Sequence, residues 1–226
     1  MLTVTLRHSW RITPAQAMAL QQDLAAKVCA LPLKRLPRFV AAADCAYSAG
    51  DESVVAGWVV WDVERQREIE SATAVRRTTF PYVPGLLSFR EAPALVAAAR
   101  KLRATPEVLI FDGHGRAHPR RMGIASHMGL LFDCPSIGCA KSRLCGEHKE
   151  PPAPRGSHVP LTDRGEKIGR VLRTCRGLKP VFVSVGHRVT LDDAVKVVLR
   201  CCTKHRLPEP ARLAHILVTS VKNELA

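Results

Sequence analysis

FPYVPGLLSFREAPAL (80–95), VLIFDGHGRAHPRR (108–121) and CPSIGCAKSRLCG (134–146) decide how this chain folds. Residues 78–88 hold too many prolines, glycines and aromatics for a helix. Helical spacing then predicts one over 89–103, with Ser88 as N-cap and Glu91 at the capping-box position. Residues 108–112 read as a short buried strand that gives out at Asp112, before a Gly-His-Gly loop. Residues 121–132 read as a helix and 136–140 as a second strand, with Lys141 one residue past it. Strand, helix, strand and helix in that order predict a sheet with helices on its faces. Acids at strand ends and helix starts then converge over the carboxyl edge of the sheet, where α/β folds bind ligands.

Upstream, Thr13 caps and Pro14 opens a predicted helix reaching about Ala30. LPLKRLP (31–37) breaks that period as a surface crossing. Residues 38–47 read as a buried strand whose far end carries Asp44, residues 48–52 as a turn, and 54–63 and 66–76 as two more strands. Short links between three successive strands predict an antiparallel meander. Downstream, residues 144–161 read as an extended Pro-rich surface loop, and 167–174 and 181–185 as strands. Thr190 caps a predicted helix to Cys202, and a final helix over 211–222 carries His215. The expectation is an α/β chain with one mixed sheet, an antiparallel meander followed by parallel strands, in a single domain over 1–226.

Composition narrows the partners. Lys and Arg number 34 against 20 Asp and Glu, a net charge of +14, which favours encounter with polyanions, nucleic acid first among them. No apolar run approaches the roughly 20 residues of a bilayer span, and the N-terminus lacks the layout of a secretory signal. The eight cysteines are irregularly spaced, with no CxxC pair. They read as reduced thiols of a cytoplasmic protein, and the spacing of Cys134, Cys139 and Cys145 is not that of a zinc site. A monomer is expected.

Among candidate chemical groups, Asp44 follows the apolar run FVAAA. Buried there it needs a cation, most simply a metal; otherwise it points into solvent or a turn. Asp112 repeats that logic, with an Asx-turn as its alternative. Glu91 already has a structural reading as a capping residue. Three acids from separate elements nonetheless make an oxygen-ligand set suited to Mg²⁺, and in so basic a chain that points to metal-dependent chemistry on a phosphodiester. Lys141 steadies charge on phosphate or is a solvated surface lysine. His118 and His215 read as ligands, proton carriers or ordinary surface histidines. Pro81-Tyr82-Val83-Pro84 presents a stiff aromatic blade able to fill the gap left by an unstacked base, or a tyrosine packed under a loop. Arg116, Arg120, Arg121, Arg143, Lys149 and Arg188 are candidate phosphate contacts.

PYVPGLLSFREAP, FDGHGRAHPRRMGIASHMG and IGCAKSRLCG together resemble the central blocks of the endonuclease V family, nearly word for word, over about four fifths of the chain from Arg38 onward. Cys45 departs from the aliphatic residue usual there, and cysteines replace several valines; no acid position is touched. The resemblance implies a ribonuclease-H-like fold. It also implies Mg²⁺-dependent hydrolysis, with Mn²⁺ able to substitute, at the second phosphodiester 3′ to a hypoxanthine-bearing nucleotide in DNA, leaving 3′-hydroxyl and 5′-phosphate. Inosine in RNA is the alternative substrate, and a catalytically silent lesion binder the non-enzymatic alternative. By motif match Asp44, Glu91 and Asp112 are the expected metal ligands, joined by His215, with Lys141 at the scissile phosphate. Tyr82 is the expected wedge within Pro81, Val83 and Pro84. His118 is placed near the site, and the base pocket near Leu87, Gly113, Ile124 and Gly138.

Overall fold

The computed structural model describes residues 2–225. The chain runs α1 (Pro14–Ala25), β1 (Phe39–Tyr47), β2 (Ser53–Asp62), β3 (Arg67–Arg77), α2 (Leu87–Ala99), β4 (Val108–Phe111), α3 (Ile124–Phe132), β5 (Ser136–Ala140), β6 (His158–Asp163), β7 (Glu166–Leu172), β8 (Val181–His187), α4 (Leu191–Cys201) and α5 (Glu209–Glu224). One eight-stranded sheet has the order β3-β2-β1-β4-β5-β8-β7-β6. β1, β2 and β3 form the expected meander, and β1, β4 and β5 are parallel. β8 then returns antiparallel to β5, and β7 and β6 continue antiparallel. Among the described residues no helix is long and apolar enough to cross a membrane.

Alternation along β1 sorts the core. Ala41 and Ala43 face the layer holding Trp58, α2 and α3, whereas Val40 and Ala42 face the layer holding Ile110, α4 and Ala211 of α5. Because successive residues point to opposite faces, Asp44 falls on the α5 side. The parallel register pairs Ala43 with Phe111, so Asp44 and Asp112 follow at the same level on neighbouring strands.

Four local expectations are corrected. α2 begins at Leu87, with Leu86 as a cap that makes no side-chain bond. Ser88 therefore lies inside the helix, where its hydroxyl meets His127 Nδ1 at 2.9 Å, and Glu91 is released from the capping role. Arg121 precedes α3, in the left-handed region at φ 57°, and α1 stops at Ala25. Part of the expected Pro-rich loop is strand β6, because Leu161 is buried against β7 and Pro160 interrupts only one backbone donor of an edge strand.

Candidate active site

β1 delivers Asp44, the first turns of α2 deliver Glu91, and the end of β4 delivers Asp112. All three line one small cavity of about 10 Å³, with Cys45, Phe111 and Ile124 among its walls. A space of that size holds about one water. Asp44 Oδ1 accepts the Cys45 N–H at 2.8 Å, and its Oδ2 lies 2.8 Å from His215 Nδ1 on α5. Asp112 is ion-paired with Lys141, and Tyr47 donates its hydroxyl to Glu91 Oε1 at 3.1 Å.

Crowding of negative charge shows in the proton affinities. Burial raises the Glu91 carboxyl to about 8, with Asp44 and Asp112 pushing the same way. Burial also raises Asp44, opposed by its bond from His215 and reinforced by the charge of Asp112. Two acids and a third, Glu91, that burial keeps mainly protonated crowd a water-sized space, a donor set that a hard divalent cation satisfies by displacing the Glu91 proton. Among the described residues no three His, Cys, Asp or Glu side chains are already drawn into an ion-holding group. Lys141 and His215 carry the compensating contacts instead. The donor chemistry therefore fits a cation whose arrival exchanges those contacts for its own.

Asp112 and Ile124 also line a larger cleft of about 410 Å³, which adjoins the acids. Its walls include Val83, Pro84, Leu87, Gly113, His118 and Lys141; of the four residues expected around the base, Leu87, Gly113 and Ile124 lie here. Tyr82 stands at the rim, 72% exposed, and is not packed under a loop. Gly138, expected in the base pocket, and Pro81, expected beside the wedge, do not line the cleft. Pro81 is exposed beside it, and Gly138 lies behind, where an added Cβ would come within 2.7 Å of Gly113 O. Gly138 thus lets the 113–115 loop seat against β5 and shapes the pocket indirectly.

His118 is 3% exposed, and burial lowers its ring to about 4. As a neutral ring its Nδ1 accepts from the Arg120 N–H at 3.1 Å, which leaves Nε2 to donate to Gly85 O, also at 3.1 Å. Arg120 and Gln21 donate to the same carbonyl, so the PYVPG arm is moored at Gly85. Sequence reasoning missed His114, which lines the cleft with Nδ1 buried and unpartnered among the described residues. Its position between two glycines was the available signal. Several basic candidates prove structural: Arg116 and Arg121 pair with Glu166, Arg121 also with Asp163, and Arg188 with Asp133. All eight cysteines are free thiols.

The sequence model of the Endonuclease V family matches residues 22–216. Endonuclease V of Roseiflexus sp. strain RS-1 is 48% identical over 93% of this chain and 94% of its own. That of Myxococcus xanthus strain DK1622 is 47% identical over 94% and 91%. The crystal structure of endonuclease V from Streptomyces avermitilis superposes with a TM-score of 0.92 at 43% identity, covering 99% of this chain and all of the other. Ciona intestinalis endonuclease V, in complex with a 23mer DNA containing an inosine followed by a ribo-adenosine, superposes at 0.82 with 27% identity over 95% of this chain and 100% of its own. The mixed sheet and its flanking helices are thus the ribonuclease-H-like fold. By sequence and by fold, the chain belongs to the endonuclease V family.

Proposed function

We propose that this nuclease hydrolyses the second phosphodiester 3′ to a hypoxanthine-bearing nucleotide in DNA, leaving 3′-hydroxyl and 5′-phosphate, as a step in DNA repair. The observation that carries the reading is the adjacency of a three-carboxylate cavity to a base-sized cleft, with an exposed tyrosine at its rim. The Ciona relative's complex with inosine-containing DNA supports the choice of base.

Tyr82, on an arm held by two prolines and moored at Gly85, fills the gap left when the base turns out of the stack. The base enters between Leu87, Ile124 and the 113–114 backbone, where fixed amide dipoles accept or reject its exocyclic groups. Asp44, Glu91 and Asp112 are the residues that would hold Mg²⁺ or Mn²⁺, which when bound supplies the Lewis acidity for hydrolysis. His215 holds Asp44 in place from α5. Lys141 lies between the acids and the phosphate path, where its ammonium offsets charge gathering on the phosphoryl oxygens. Water adds to phosphorus, the P–O3′ bond breaks, and the departing 3′ oxygen takes up a proton.

Cleavage of inosine in RNA is a second reading, favoured by the ribonucleotide that directly follows inosine in the Ciona complex. A strand-labelled inosine duplex and its RNA counterpart, each incubated with Mg²⁺ or chelator, test both. Nicking of the DNA directly 3′ of the lesion's 3′ neighbour, abolished by chelator, is the expected result. Nicking of RNA alone would favour the second reading, and metal-independent binding without cleavage would reject both.

A further inference from the structure

A second cleft, of about 530 Å³, opens on the far side of Lys141 from the base-sized cleft. Lys141 is the residue common to both. Lys141, Arg173, Lys179 and Arg206 line this second cleft against a single acid, Glu150, whose charge Arg173 already engages. His148 packs edge-on against Phe182 on one wall, ring centroids 5.3 Å apart. Its Nδ1 bonds the Lys149 carbonyl.

Arg206 is the unusual member. It donates to the carbonyls of Lys141 and Pro180, has no carboxylate partner among the described residues, and buries its Nε without a hydrogen bond. Half-buried, and acted on by Asp112 through its charge alone, the guanidinium keeps an unused donor at Nε, which is costly unless an anion completes it. Lys179 is exposed at the mouth, with no hydrogen-bond or ion-pair partner among the described residues. Such a cleft is chemically matched to phosphate.

We infer that this cleft receives the phosphodiester backbone of the nicked strand on the 3′ side of the scissile bond, with Arg206 and Lys179 as its phosphate contacts. The inference rests on the reading that the base occupies the other cleft and that cleavage falls 3′ to it. A strand leaving the base cleft and passing Asp112 and Lys141 then continues 3′-ward into the second cleft. The cleft therefore grips the leading end of the downstream product, the fragment that carries the new 5′-phosphate.

Cleavage is measured on inosine-containing strands that end just past the nick or extend well beyond it, and on strands with single phosphates replaced by uncharged methylphosphonate. For the wild-type protein, kcat/KM is expected to rise about fivefold with the long 3′ flank, and a methylphosphonate just 3′ of the nick should cancel that gain. Lys179→Gln and Arg206→Gln, each checked for an unchanged melting temperature, should match wild type on the short strand, lose the gain on the long one, and ignore the methylphosphonate. Indifference of the wild type to the 3′ flank would overturn the inference. So would equal impairment of the variants on both strands, or sensitivity confined to methylphosphonates 5′ of the lesion. If the wild-type protein nicks no inosine strand, it is the functional reading that has failed. The cleft is then judged by the salt slope of binding to undamaged single strands, which each variant should lower by about 0.7, and an unchanged slope rejects it.

Discussion

His215 Nδ1 stands 2.8 Å from Asp44 Oδ2, joining α5 to β1 across 171 positions of the chain. The contact fixes the carboxylate's orientation while its other oxygen is held by the Cys45 amide. A residue that orients a ligand, rather than replacing one, alters affinity for the ion more than it alters the chemistry. His215→Ala is therefore expected to raise the Mg²⁺ concentration needed for half-maximal nicking by about 10- to 100-fold, with activity recovering at saturating Mg²⁺. A metal titration of nicking rate decides this, and a loss that no amount of Mg²⁺ restores would place His215 in the chemical step.

Asp112 lies at the junction of the two spaces, lining both the acid cavity and the base-sized cleft. Asp112→Ala should abolish nicking of an inosine duplex while leaving inosine-specific binding in place. In the unsubstituted protein Mg²⁺ binds the folded acids and not the unfolded chain, so it should raise the melting temperature. At about 100 times its dissociation constant an ion contributes about 2.7 kcal/mol. The variant should lose most of that shift in a thermal melt; an undiminished shift would remove Asp112 from the ligand set.

Much of this architecture was legible before coordinates. The apolar runs fixed β1, β2, β4 and β5, and the acids sat where those runs met loops. Less legible was what depended on long-range contact. Ser88 followed by Glu91 has the capping-box spacing, but His127, 39 residues away, claims the Ser88 hydroxyl and the helix starts earlier. The antiparallel return of β8 depends on pairing with β5, about 40 residues back in the chain, which local pattern does not encode. Basic residues near the motifs looked alike in sequence. Only geometry separates Arg116 and Arg121, spent on Glu166, from Arg206, which makes no ion pair among the described residues.

Tyr82 makes an exposed blade because Pro81 and Pro84 stiffen its arm and Gly85 anchors it. With 72% of its surface in solvent, it contributes little to folding. Tyr82→Ala should leave stability within about 0.5 kcal/mol of the parent. Nicking of duplex inosine substrate should fall about tenfold, the value of one lost stacking platform. A single-stranded substrate, which has no stack to open, should lose less. Equal losses on both substrates in parallel rate measurements would deny the wedge role.

Ser88, His127 and His8 form a directional chain. His8 Nδ1 donates to Ser9 O at 3.0 Å, so its Nε2 accepts from His127 Nε2 at 2.7 Å, and His127 Nδ1 accepts the Ser88 hydroxyl. The chain requires both rings to be neutral, and burial lowers His127 to about 3. The His127 pKa is depressed in the folded state, so the unfolded chain takes up the proton first. The contribution of His127 is therefore complete above pH 6.5 and declines as pH falls from 6.5 toward 3. By pH 5 the loss amounts to about 2 kcal/mol. Glu91, raised to about 8, acts in the opposite sense, so the comparison must be between protein variants rather than between pH values alone. Denaturant unfolding of the parent and His127→Gln at pH 7.5 and pH 5 isolates the contribution. The variant should be less stable at pH 7.5 and should lose about 2 kcal/mol less than the parent on acidification; identical losses would show that His127 does not titrate on unfolding.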